Sequence, residues 1–142
     1  MKIKFFSFLA IVLFLISCRH DGYDCFTNPQ PVILNLVDSK GHNLIETNEL
    51  KVSDLKITSQ KSDYKPTVNL QEIQNHYIAV GGTGWYNGAE KFDISTPFKN
   101  FTIKVISKEL TGKCSGYVIE KVDFEGVDAS NTQTIYNVVL KD

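Results

Sequence analysis

Residues 100–106 read Asn-Phe-Thr-Ile-Lys-Val-Ile, and this alternation constrains the fold more than any other stretch. Phe101, Ile103 and Val105 recur with a period of two, which places all three on one face of a β-strand and their polar neighbours on the other. The same habit returns along the chain. Residues 32–37 (Val-Ile-Leu-Asn-Leu-Val) form a short apolar, β-branched run. Residues 54–58, 76–80, 91–94, 117–124 and 135–140 follow with alternation or a compact apolar core, and 67–70 adds a short edge segment. Between them stand turn clusters: 38–43 with Gly41, the polar loop 60–66, the glycine-rich 81–88, 110–116, and 126–132. Residues 71–75 offer one helical turn, and no segment sustains a helical period.

Strands at this spacing, broken by Gly, Pro, Asn and Asp, predict an all-β domain. The expected architecture is a two-sheet antiparallel sandwich of seven to eight strands, immunoglobulin-like or transthyretin-like in layout. The Cys-Trp-Cys spacing of antibody domains is not matched, because Cys25 precedes the first strand. In residues 117–124, Val118, Val122 and Phe124 are expected inward and Glu120 breaks the pattern. In the last strand Tyr136, Val138 and Leu140 share a face.

The amino terminus has a different character. Lys2 and Lys4 precede an almost unbroken apolar run from Phe5 to Ile16, the layout of an export signal that inserts as a helix. The run falls short of the roughly 20 apolar residues that span a bilayer. Leu15-Ile16-Ser17-Cys18 closes it and resembles the lipobox of bacterial lipoproteins. That resemblance implies cleavage before Cys18, a diacylglyceryl group on its thiol, and acylation, typically with palmitate, of the new amino terminus. The chain divides accordingly into a signal peptide (1–17), a lipidated polar tether (18–30) and the sandwich (31–142). Each buried CH₂ of an acyl chain contributes about 0.8 kcal/mol, and two or three chains hold a protein at a membrane stably.

Removal of the signal takes two lysines from the 15 basic residues, leaving 13 against 16 acids. With no Lys/Arg cluster remaining, the chain lacks the footprint of a nucleic-acid binder. Of three cysteines, Cys18 is assigned to lipid, which leaves Cys25 and Cys114 as a pairable set in an oxidising compartment. The expected bridge closes a long loop and is worth about 4–5 kcal/mol on the chain-entropy model. The alternative is two free thiols.

Cys25-Phe26-Thr27-Asn28-Pro29-Gln30-Pro31, an apolar strand ending in Val37-Asp38, the Lys40-Gly41 turn, Asn43-Leu44 and the late Cys114 together resemble a group of small Bacteroidota lipoproteins. The resemblance implies a sandwich fold and an envelope location, lipid-anchored at the outer membrane on its periplasmic face or at the cell surface. It supplies no catalytic residue.

Candidate sites are few. Gly81-Gly82-Thr83-Gly84 follows a strand as phosphate loops do, but Trp85-Tyr86-Asn87-Gly88 is turn chemistry rather than a helix start, so no nucleotide or other cofactor is expected. Trp85 and Tyr86, flanked by glycines, are candidate contacts for a protein or glycan ligand, since such rings join an apolar body to a polar tip. The competing expectation is that Trp85 folds back to plug the sandwich. His20, His42 and His76 have no zinc-site spacing. No Gly-x-Ser-x-Gly is present, and Asp123 with Glu125 falls on one strand face, where solvation explains them better than glycoside hydrolysis. The expected function is that of a non-catalytic, membrane-anchored binding module. The alternatives are a structural accessory of an envelope complex and, behind it, an enzyme or enzyme inhibitor.

Overall fold

The structure, a computed structural model, describes residues 25–61, 67–112 and 114–142. The lipobox with Cys18, the signal segment, His20 and most of the loop 60–66 lie outside the described residues. The alternating run at 101–105 sits inside the longest regular strand, β7 (Phe101–Leu110), and buries Phe101, Ile103 and Val105 as its period requires. Ten strands form two five-stranded sheets. Sheet A has the order β1 (Cys25–Thr27), β8 (Cys114–Glu125), β7, β6 (Gly88–Ser95) and β3 (Lys56–Ser59). Sheet B has the order β4 (Asn69–Ile73), β5 (Tyr77–Gly81), β2 (Val32–Asp38), β10 (Ile135–Lys141) and β9 (Asp128–Thr132).

The fold is the two-layer β-sandwich expected from the sequence, with more strands than seven to eight. Two pairings, β1 with β8 and β2 with β10, are parallel within an otherwise antiparallel arrangement. The inward faces interdigitate into one core. Leu34, Leu36, Ile78, Val80 and Val138 come from sheet B, and Phe92, Ile94, Ile103 and Val105 from sheet A. Leu44, Ile45 and Leu50 are also buried there, although they lie in the connection after β2 rather than in strands. That connection is folded by backbone bonds from Leu44 N–H to Leu36 and from Leu50 N–H to the Leu44 carbonyl.

The departures from the sequence expectation have local causes. Cys25–Thr27, expected in the tether, pairs with the start of β8 and belongs to sheet A. Asn28, Pro29 and Pro31 end β1 at once, because proline has no N–H for a ladder. β8 takes Cys114–Gly116 out of the turn expected over 110–116, and β9 shortens that over 126–132. Every residue of β9 is exposed, so no apolar alternation marks it. The 71–75 turn is displaced: β4 extends to Ile73 and a 3₁₀ turn occupies Gln74–His76, so β5 begins at Tyr77 rather than His76.

Glu120 breaks the pattern of β8 because the pairing shifts there. Ile106 opposes Lys121 while Ser107 opposes Ile119, so one residue of β8 is extra. The bulge reverses the parity of everything before it. Ile119 therefore packs on the core and Val118, expected inward, is 40% exposed. Val122 and Phe124, beyond the bulge, face the core as expected, and Phe124 continues an interior aromatic row from Phe101 to Tyr136.

Candidate functional site

Cys25 and Cys114 form a disulfide, with Cα atoms 4.6 Å apart and a sequence separation of 89. They are direct partners in the β1–β8 register. The strands approach closely at this point: a Cβ on Gly116 would lie 2.1 Å from the Thr27 carbonyl oxygen, so only glycine fits. The bridge and this glycine hold Phe26, 53% exposed, against the end of sheet A.

The glycine-rich connection between β5 and β6 brings Trp85 to the same place. Gly82 and Gly84 take positive φ, and a Cβ on Gly84 would strike Ile119 Cγ1 at 2.7 Å. The Gly84 N–H donates to buried Glu90 Oε2 at 3.3 Å, and Ser107 Oγ donates to the Tyr86 carbonyl at 2.6 Å. These contacts fix a loop whose glycines serve close packing. The indole of Trp85 stacks on Phe26 (5.8 Å, 17°) and meets Tyr117 at a tilt (6.2 Å, 54°). It remains half-buried rather than plugged into the core. Beside it lies a hollow of about 310 Å³, lined by Trp85, Pro29, Pro31, Asn69, Gln71 and Ala79 among others.

Trp85 and Tyr86 have different neighbours. Tyr86 is 48% exposed and carries the Lys61 ammonium 3.0 Å from its ring centroid, a cation–π contact worth about 0.5–1 kcal/mol at such a site. The partners that Trp85 does have, Phe26 and Tyr117, were not legible as a cluster. Phe26 follows a cysteine in what reads as tether, and Tyr117 has its neighbours changed by the bulge.

Asn69, Gln71, Ala79 and Gly81 share the outer face of sheet B, the face away from the core. Further along it lies a second hollow of about 720 Å³, whose walls include Asn35, Asn75, Tyr77, Thr47, His42 and His76. An amide network shapes it. Asn43 Nδ2 donates to Asn35 Oδ1 (2.8 Å) and to the His76 carbonyl (3.2 Å), while its Oδ1 accepts the N–H groups of Ile45 (2.8 Å) and Glu46 (2.9 Å). Asn35 Nδ2 in turn donates to Asn137 Oδ1 at 2.8 Å.

The two histidines of this hollow each place Nδ1 against a carboxylate: His42 with Asp38 at 3.0 Å and His76 with Glu72 at 2.8 Å. Asp38 also accepts the backbone N–H groups of His42 and Lys40. The His42 N–H, then its imidazole, hold the Asp38 carboxyl down at about 2. Among the described residues no group of three His, Cys, Asp or Glu side chains is placed to hold a metal ion.

Asp123 and Glu125 lie on the outer face of sheet A, paired with Lys121 (2.8 Å) and Lys91 (2.7 Å). They form part of a solvated surface rather than two acids facing across a cleft. Cys114 is consumed by its disulfide, and β6 rather than a helix follows the glycine loop. No protein-family model, curated protein or solved structure matches the chain.

Proposed function

We propose that the chain is an exported bacterial lipoprotein, anchored through lipid on Cys18 at the outer membrane, whose sandwich binds a ligand without catalysis. In this reading residues 1–17 are removed and a short tether joins Cys18 to Cys25, where sheet A begins. The lipobox supports the anchor, and the Cys25–Cys114 bridge fits an oxidising compartment. One observation carries the binding reading. A glycine-fixed loop holds Trp85 half-buried at the rim of a hollow that also presents the amides of Asn69 and Gln71. A largely apolar concavity with a few convergent polar groups is the usual form of a ligand site.

Trp85 is the chain's single tryptophan, so its fluorescence reports on that hollow alone. Titration of the detergent-purified chain with solubilised envelope fractions and envelope polysaccharides is expected to shift the Trp85 emission. A spectrum unchanged by every fraction overturns Trp85 as the contact. Intact-mass measurement tests the anchor: the mature chain is expected to begin at Cys18 with acyl groups attached, and an unmodified thiol there removes it.

The accessory-subunit reading has a specific observation on its side. Among the described residues, no strand pairs with β8 beyond Gly116, which leaves a long edge open to another chain. The bulge at Glu120 and the charges of Lys121 and Asp123 are the devices by which proteins blunt such an edge, so the ligand reading is preferred.

A further inference from the structure

We propose that the two hollows on the outer face of sheet B form one trough for a neutral oligosaccharide, held by Trp85 at one end and Tyr77 at the other. The inference rests on the binding reading above and names its ligand class. Its first support is placement. Tyr77 and Ala79 are alternate residues of β5 and therefore share the outer face, about 7 Å apart. Ala79 lines the Trp85 hollow and Tyr77 the second one. Between them the floor is low: Ala79 has only a methyl group, and its row across the sheet continues through Ile33 and Ile135. On its other side the row carries Gln71, which itself lines the Trp85 hollow.

The second support is chemistry. Each hollow combines an aromatic ring with side-chain amides: Asn69 and Gln71 beside Trp85, Asn35 and Asn75 beside Tyr77. An amide both donates and accepts, as a sugar hydroxyl does, and an aromatic face suits the apolar face of a pyranose ring. Among the described residues, no charged side chain lines the Trp85 hollow. In the second hollow both imidazoles are already matched with carboxylates through Nδ1, and among the described residues the one charged side chain besides them in its lining is the acid Glu46. That lining favours an uncharged ligand over an anionic one.

The third support is backbone strain at the far rim. Asn75 and His76, neither of them glycine, hold φ of 63° and 57° in succession. Asn and His enter the left-handed region more readily than most non-glycine residues, but two in succession still cost free energy, and such turns cluster at ligand sites. The Asn43 bond to the His76 carbonyl keeps the turn in place. The strained turn presents Asn75 beside Tyr77 at the hollow.

The test uses the full chain in detergent and cello-, xylo- and manno-oligosaccharides from disaccharide to hexasaccharide, with oligogalacturonate as an anionic control, read by calorimetry. Affinity for at least one neutral series is expected to rise with length. Trp85→Ala and Tyr77→Ala should each weaken the longest oligomer about tenfold or more. Ala79→Arg, which fills the floor, should reduce the hexasaccharide to the affinity of the disaccharide. Unchanged circular dichroism and an intact disulfide establish that each variant is folded. Wild-type hexasaccharide binding by Tyr77→Ala and Ala79→Arg, with loss in Trp85→Ala, overturns the trough and leaves the single Trp85 site standing. Preference for oligogalacturonate, or no binding of any neutral series, overturns the ligand class. A Trp85 emission shift with a protein fraction would then still support the binding reading.

Discussion

The two sheets are built alike on their inner faces and differently on their outer ones. Inside, each contributes fully buried aliphatic rows to a shared core. Outside, sheet A is a lattice of charge and hydroxyl: Thr58 opposes Asp93, Asp93 opposes Thr102, and Lys104 lies between Lys91 and Asp123. Sheet B at the corresponding positions carries Gln71, Ala79 and Ile33 in one row and Asn35, Asn137 and Ser130 in the next. A charged outer face needs only water. A face of amides and small apolar groups gains less from hydration, and it is the face on which both hollows lie. The contrast teaches that the inner faces specify the fold and leave the outer faces free to differ in chemistry.

The contrast can be tested from its strongest term downward. Replacing both Cys25 and Cys114 by Ala removes the closure of the 89-residue separation and should cost about 4 kcal/mol in denaturant unfolding. Because the bridge joins β1 to β8, hydrogen exchange should rise first in sheet A. Equal loosening of both sheets would mean that they unfold as one unit. Leu34→Ala in sheet B and Ile103→Ala in sheet A, both essentially fully buried, should each cost about 3 kcal/mol. A marked inequality between the two would break the claim that the inner faces are equivalent.

On the outer side the sheets should diverge. Asn43→Ala strands the Ile45 and Glu46 N–H groups and one Asn35 acceptor, and should cost about 1–3 kcal/mol. Lys91→Ala on sheet A removes only a half-exposed ion pair to Glu125 and should change stability by about 0.5 kcal/mol or less. Comparable losses from the two would erase the distinction. The smallest effect concerns pH. The Asp38 carboxyl is depressed from 3.8 to about 2, so the stability it contributes is present above pH 3.8 and lost as pH falls through 2. Asp38→Asn should flatten the acid limb of stability in that window, measured by thermal unfolding, and leave the neutral region unaffected by titration.

Most of the core was legible because β7, β6 and β10 keep their period unbroken. Phe101, Ile103, Val138 and Leu140 went where alternation sends them. β8 resisted because a bulge leaves no signature in an unaligned sequence beyond one misplaced acid, Glu120. β9 resisted for the opposite reason: among the described residues Asp-Ala-Ser-Asn-Thr pairs only with β10, and every one of its side chains is exposed, so they carry no message. β1 resisted because three residues followed by prolines read as a linker. Of the site, Trp85 was legible from its glycine flanks. Its companions Phe26, Tyr117, Asn69 and Gln71 were not, since they come from distant strands joined by pairing that no local pattern announces.

The clamp between β1 and β8 has a mechanical consequence. A chain tugged from its amino-terminal end would ordinarily peel a three-residue strand one rung at a time. Here the pull reaches the sulfur of Cys25 first and passes across to Cys114, at the head of a strand laddered to β7 from Leu110 back to Thr102. Shear across many rungs resists far better than peeling across three. If the leash ends in lipid, drag on a bound polymer would load the body of sheet A and leave the Trp85 loop in register.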